Sequence, residues 1–208
     1  MSEQKYLYVL FSATPYRMGQ MIRAVTKEPY NHVSIAIDEN LTSMYSFARR
    51  YYETPFYGGF VAEEPCRYRH KDRVADIRLY RLPLTCQQWR QLNAMLEDMK
   101  THADRYLYNH LSAVAAPLHR KIRVRKAYTC AEFTVNVLSS LGFDFDTERF
   151  YTIGDIARRL EQYHIYTGLF PDCPVDSSTF FTPKPVVHPV YTSVREVMKL
   201  FWRLHLGS

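Results

Sequence analysis

Apolar residues recur along this chain with two different periods, and the change from one to the other predicts its elements. Tyr6 to Ala13 reads as a buried first strand, and Met18 to Thr26 as a short helix after the turn at Pro15. From His32 to Asp38 the pattern alternates. His32, Ser34 and Ala36 fall on one side and Val33, Ile35 and Ile37 on the other, as in a half-buried strand. Asp38, Glu39 and Asn40 supply a turn, and Met44 to Ala48 returns as the hairpin partner. An aromatic loop ending at Gly58 and Gly59 then leads to a short strand at Phe60 to Ala62, and Val74 to Leu82 alternates again.

The period lengthens after Thr85. Trp89, Leu92, Leu96 and Met99 repeat at three and four residues, and Gln88 completes a capping box with Thr85, which predicts a long helix. Arg120 to Lys126 is a basic stretch in which Ile122 and Val124 alternate with Arg123 and Arg125. Next comes a second capped helix. Thr129 is its N-cap, Glu132 the N3 partner, Phe133, Val137, Leu138 and Leu141 its buried stripe, and Gly142 its end. Ile153 to Gln162 reads as a further short helix entered from Thr152, and His164 to Phe170 as a last strand. Pro171 to Pro189 carries five prolines without periodicity and reads as loop. Val194 to Leu206 is a basic amphipathic helix, with Val194, Val197, Met198, Phe201 and Leu204 on one side and Arg195, Lys199 and Arg203 interleaved. The expectation is an α+β fold with a mainly antiparallel sheet in residues 1–170, and a loop and helix in 171–208 packed on the same domain.

Composition narrows the class. With 208 residues, 47% hydrophobic and 23% charged, the chain is long enough for one domain with a sizeable core and is not of disordered or fibrous type. The formal charge of +6 favours anionic partners without choosing among them. The tyrosines are spread through the chain and not gathered on one strand as a stacking platform, so no nucleic-acid partner is expected. Cys66, Cys86, Cys130 and Cys173 show neither zinc spacing nor a disulfide framework. The first ten residues lack signal-peptide character, and no run approaches the ~18 apolar residues of a membrane span. A cytoplasmic address with reduced thiols is the expectation.

Candidate chemistry centres on Cys130. A thiol becomes a nucleophile as thiolate, and the first turn of a helix offers free N–H groups and the positive end of the macrodipole. The same N–H groups can hold the oxyanion formed when the thiolate attacks an acyl carbon. His32 is the candidate base, with the small residues Ser34 and Ala36 beside it and Ser46 on the returning strand as its orienter. Cys86 has the same local cap, since Thr85 and Gln88 place it at N1 of the other helix. Local physics alone does not separate the two thiols. The remaining histidines, His70, His102, His110, His119, His164, His188 and His205, show no ligand spacing, and no metal is expected.

The order of two segments carries a resemblance. Asn31-His-Val-Ser-Ile-Ala-Ile-Asp38, followed by Met44-Tyr-Ser-Phe47, and later Tyr128-Thr-Cys-Ala-Glu-Phe-Thr-Val135 through Gly142, resemble the His strand and nucleophile helix of circularly permuted papain-like hydrolases of the NlpC type, the YiiX/YebB-like group. The resemblance covers roughly Tyr6 to Leu160. It implies a permuted papain-like fold, Cys130 as nucleophile, His32 as base and Ser46 at the third, polar position. It also implies a thioester acyl-enzyme, no cofactor, and amide bonds in small peptide-like material as substrate. Asn31, Tyr128 and Arg125, flanking these groups, are the candidate substrate contacts. Two rivals stand beside this reading. The lecithin retinol acyltransferase-like group shares the permuted order and a similar Cys-x-x-Phe helix start, which would make the substrate lipid-like and give the C-terminal basic helix a membrane surface to lie on. A binding module on the same shell is the other.

Overall fold

The computed structural model describes residues 4–54, 56–171, 179–182 and 187–206. In chain order it contains β1 (Lys5–Ala13), α1 (Arg17–Thr26), β2 (His32–Ala36), β3 (Met44–Arg49) and β4 (Gly58–Glu63). A small hairpin follows, β5 (Arg69–His70) and β6 (Arg73–Val74), and then β7 (Asp76–Leu84) and α2 (Cys86–Thr101). The second half holds β8 (Leu107–Tyr108), α3 (His110–Ala115), β9 (Ala127–Tyr128), α4 (Cys130–Ser140), α5 (Ile153–Arg159), β10 (His164–Leu169) and α6 (Val187–Leu206).

Six strands form one sheet in the order β10-β7-β1-β2-β3-β4, with every neighbouring pair antiparallel. The fold is α+β. Strand β1 is buried on both faces because alternate residues serve two cores. Leu7, Val9 and Phe11 meet the side chains of α2, α4 and α5, while Tyr8 and Leu10 pack with Tyr68, Ile77, Leu79 and Phe170 on the other face. Helix α4 lies against β2 and β3, where Phe133, Val137 and Leu138 join Val33, Ile35 and Phe47. Burying each such side chain contributes roughly 1.5–3 kcal/mol. This packing fixes where α4 begins, and so where Cys130 sits relative to β2.

Three local expectations are revised. Gly58 and Gly59 do not end a loop; they are the first residues of β4, where a Cβ on Gly59 would stand 2.2 Å from the Tyr106 carbonyl oxygen and one on Gly58 2.9 Å from Tyr108 Cβ. Their missing side chains admit the chain around β8. The alternation within Arg120 to Lys126 does not make a strand, and its regular pairing is limited to an isolated bridge between Val124 and Ala127. Helix α6 begins at Val187, so Val187 to Pro189 are helical and not loop. Its packed side is also different from the one the apolar stripe suggested. Leu200 is buried against Leu107, Val124 and Ala127 with Leu204 beside it, while Val194, Met198 and Phe201 are exposed. Most of the proline-rich stretch, with Cys173, lies outside the described residues. Among the described residues, no helix is long and apolar enough to cross a membrane.

Candidate active site

Thr129 shapes the approach to Cys130. Its backbone is extended while Cys130 is the first helical residue, and its hydroxyl oxygen accepts the Glu132 N–H at 3.1 Å. The Glu132 carboxylate accepts the Thr129 N–H in return at 2.7 Å, so both halves of the capping box are present. Glu132 is itself held. It accepts the Ser112 hydroxyl at 2.7 Å, and Asn109, the N-cap of α3, takes its backbone N–H to the Tyr128 carbonyl at 3.0 Å. With the parallel pairing of β8 and β9, these bonds clamp the turn that delivers the thiol. The first-turn N–H groups of Cys130 and Ala131 have no acceptor within the helix and point past its end.

His32 is the first residue of β2, at the place where the strand meets the start of α4. Its Nε2 lies 2.7 Å from Glu63 Oε1. Glu63 closes β4 and is 5% exposed, and hydroxyls surround it. Ser46 donates to Oε1, and Ser34 to Oε2 at 2.7 Å; Tyr68 also donates to Oε2 and stands 2.8 Å from Ser34. With Nε2 held by Glu63, the ring's other nitrogen, Nδ1, is left for the thiol.

The electrostatics follow from this packing. Burial alone would push the His32 pKa down, but the Glu63 charge, hydrogen bonding with Cys130 and Glu63, and the Cys130 charge outweigh it and push it up to about 10. For Glu63, burial pushes the other way. The His32 charge and hydrogen bond, the Arg67 charge and the Ser46 bond win, and hold the carboxyl well below its usual range. Both shifts favour an imidazolium beside a carboxylate, with Cys130 as the imidazolium's second partner.

Cys130, His32 and Glu63 line one cavity of about 680 Å³. Tyr108 lines it as well. Burial, together with the Cys130 and Glu132 charges, pushes its phenol far up, so it remains a neutral donor near the thiol. Among the described residues, no three His, Cys, Asp or Glu side chains gather in a way that could hold a metal ion.

The residues singled out in the sequence fall in different places. Cys130 and His32 are neighbours. Ser46 is fully buried on β3 and donates to Glu63, so it reaches the imidazole through that carboxylate. Asn31 reaches the cavity wall, but its amide is committed: Oδ1 accepts the Thr14 N–H at 3.0 Å and Arg23 Nη1 at 2.5 Å, and Nδ2 donates to the Thr14 hydroxyl at 2.8 Å. It fixes the chain entering β2. Tyr128 packs edge-on against Phe47 with ring centroids 5.2 Å apart, and Arg125 is exposed beside α6, where its carbonyl accepts from Arg203; neither lines the cavity.

Cys86 is separated from Cys130 by the length of α4. Gln88 and Gln91, in the first turns of α2, donate to the Leu141 and Ser140 carbonyls at 2.6 and 2.7 Å. The capped start of α2 therefore sits at the far end of α4, about 16 Å along a helix of this length from Cys130. Glu63 was not among the sequence candidates. The available signal was alternation, because carrying the period of Phe60 to Ala62 one residue further puts Glu63 on the same face as Val61, away from Phe60. No family model, curated protein or solved structure matches the chain.

Proposed function

We propose that the chain is a thiol hydrolase in which Cys130 is the nucleophile, His32 the general base and acid, and Glu63 the group that orients and charges His32. The observation that carries this reading is the contact of His32 with the buried Glu63 carboxylate at 2.7 Å, set against a capped helix start that bears Cys130. The Cys130 thiolate attacks an ester or amide carbonyl carbon, and the first-turn N–H groups receive the oxyanion, with the Tyr108 phenol at the same wall. His32 protonates the leaving group. Water then attacks the thioester, gives its proton to His32, and releases the acid and the thiolate.

The scaffold we assign is the permuted papain-like one. Its support is the order of parts: a His strand, a hydroxyl-bearing strand, then a Cys helix packed on both, within a mainly antiparallel sheet. Against the binding-module reading, Glu63 gives His32 a carboxylate partner, a stronger acceptor than the Ser46 hydroxyl.

Alkylation with iodoacetamide near neutral pH tests the proposal. Cys130 is expected to react well ahead of Cys86 in the wild type, and His32→Ala is expected to abolish that lead. Equal rates for the two cysteines, unchanged by His32→Ala, would sink it.

A further inference from the structure

Two guanidiniums line the cavity that holds Cys130, those of Arg49 and Arg67. Arg49 is the last residue of β3 and is half-buried; Arg67 stands in the short helical turn Pro65–Tyr68 that follows β4 and is only 8% exposed. Aromatic rings pack on both. The Arg67 guanidinium carbon lies 4.2 Å from the Phe180 ring centroid, and that of Arg49 lies 5.9 Å from the Tyr16 centroid and 5.8 Å from the Tyr52 centroid. Arg49 Nη1 donates to the Tyr52 carbonyl at 2.8 Å. Arg67 Nη1 donates to the Arg49 carbonyl at 3.1 Å, with a longer contact of 3.4 Å from Nη2 to the Arg50 carbonyl. Among the described residues, the buried Arg67 Nε has no partner.

These two side chains have more charge and more donors than the surrounding protein answers. Among the described residues, neither guanidinium is ion-paired with a carboxylate. Ring faces attract a cation, but they do not take up its N–H groups as an oxyanion does. The Glu63 charge reaches Arg67, yet the Glu63 oxygens are already occupied by His32, Ser34, Ser46 and Tyr68. His32, when protonated, adds a further positive charge. Burial, with the Arg67 charge adding to it, pushes the Arg49 pKa down. Cations held together away from water, with unused donors beside a cavity, are stabilised by an anion.

We propose that Arg49 and Arg67 bind an oxyanion carried by the substrate, a carboxylate or a phosphate, so that Cys130 receives acyl compounds bearing a negative charge. The inference rests on the thiol-hydrolase reading for its chemistry and adds the substrate class. A guanidinium presents its N–H groups as a planar fork that matches two oxygens of such a group. Tyr108, whose phenol feels the charges of both Cys130 and Arg49, links the anion site to the thiol. Holding the charged end of the substrate at the arginines leaves its carbonyl to the thiolate.

Matched esters test the site on the full chain. Mono-p-nitrophenyl adipate and p-nitrophenyl hexanoate have acyl chains of equal length and differ in the terminal carboxylate, as do the pimelate and the heptanoate. The carboxylated ester is expected to have the higher kcat/KM by about tenfold or more in at least one pair, the scale of a charge-assisted hydrogen bond. Arg49→Gln and Arg67→Gln are each expected to bring that ratio near one. Because the ratio is taken within one variant, a general loss of activity or stability cancels from it. Calorimetric titration of Cys130→Ser with adipate and with inorganic phosphate is the second measurement. Saturable binding of one or both anions is expected, about tenfold weaker once Arg49→Gln is added, and the tighter of the two identifies the group. Equal kcat/KM within both pairs, with no anion binding, overturns the oxyanion site and leaves the thiol hydrolase standing. A carboxylate preference unchanged in both arginine variants overturns the assignment to these residues. Anion binding that depends on Arg49, without hydrolysis of any ester, upholds the site and overturns the catalytic reading. Absence of both signals overturns both.

Discussion

His32 Nε2 and Glu63 Oε1 stand 2.7 Å apart across the width of β3, whose Ser46 donates to the same carboxylate oxygen. The pair therefore ties β2 to the sheet's edge strand through side chains as well as through backbone. A change at Glu63 acts on the orientation of the imidazole, on its charge, and on three hydroxyls that depend on the carboxylate.

Glu63→Gln keeps the shape and removes the charge. The rate of ester hydrolysis is expected to fall about 10²- to 10⁴-fold, as befits loss of the group that fixes the imidazole's tautomer and stabilises its charged form. Glu63→Ala, which leaves His32, Ser34, Ser46 and Tyr68 facing a gap, is expected to destabilise the fold by about 3–5 kcal/mol in denaturant titrations. A Gln variant with wild-type kcat/KM would remove Glu63 from the mechanism.

The pair also predicts a pH window for stability. His32 has its pKa raised from 6.5 to about 10, so its contribution is complete below about pH 6.5 and is lost as pH rises toward 10. Glu63 is depressed from 4.5, so its contribution is complete above about pH 4.5 and is lost as pH falls below that. Their joint contribution is greatest between those two values. Unfolding free energies measured from pH 4 to pH 10 are expected to fall on the alkaline side in the wild type, and His32→Ala is expected to reduce that fall. Identical pH profiles for the two proteins would refute the coupling.

Two threonines hold the same local geometry at opposite ends of the α2 and α4 pair. Thr129→Ala and Thr85→Ala should each cost about 1 kcal/mol, the usual worth of an N-cap side chain. Only the first is expected to slow alkylation of Cys130 and ester turnover. Equal kinetic effects would mean that the Cys130 cap has no role beyond stability.

Gly19 is a close approach and not a flexible joint. A Cβ there would fall 2.3 Å from the Thr14 hydroxyl and 3.0 Å from the Asn31 amide, the groups that hold the chain just before His32. Gly19→Val is expected to lower kcat/KM at least about tenfold while costing about 1–3 kcal/mol of stability. Thermal melts beside kinetics would check both, and wild-type activity in this variant would show that α1 does not help set the position of His32.

Much of this arrangement is legible in the sequence, because the signals are local. Thr129 and Glu132 announce a capped helix within four residues, and the alternation from His32 to Ile37 announces a strand. Glu63 announces nothing locally. Followed by Glu64 and Pro65, it reads as the polar exit of a strand, and its role arises from partners 17, 29 and 31 residues away. Helix α3 escaped for a similar reason, since its Asn109 cap is legible only once Ser112 and Glu132 are seen together. Helix α6 shows the opposite failure. Its apolar stripe was plain, but a stripe does not say which of two adjoining faces finds a partner, and the buried side is set by Leu107, Val124 and Ala127.

The crowd of donors around Glu63 has a further meaning. An ionised carboxylate offers about four lone-pair directions, and His32, Ser34, Ser46 and Tyr68 claim them all. A base so fully subscribed is a poor destination for a proton. In the mechanism we propose, the proton that leaves Cys130 halts on the imidazole, and Glu63 serves as ballast that keeps it there until a leaving group takes it.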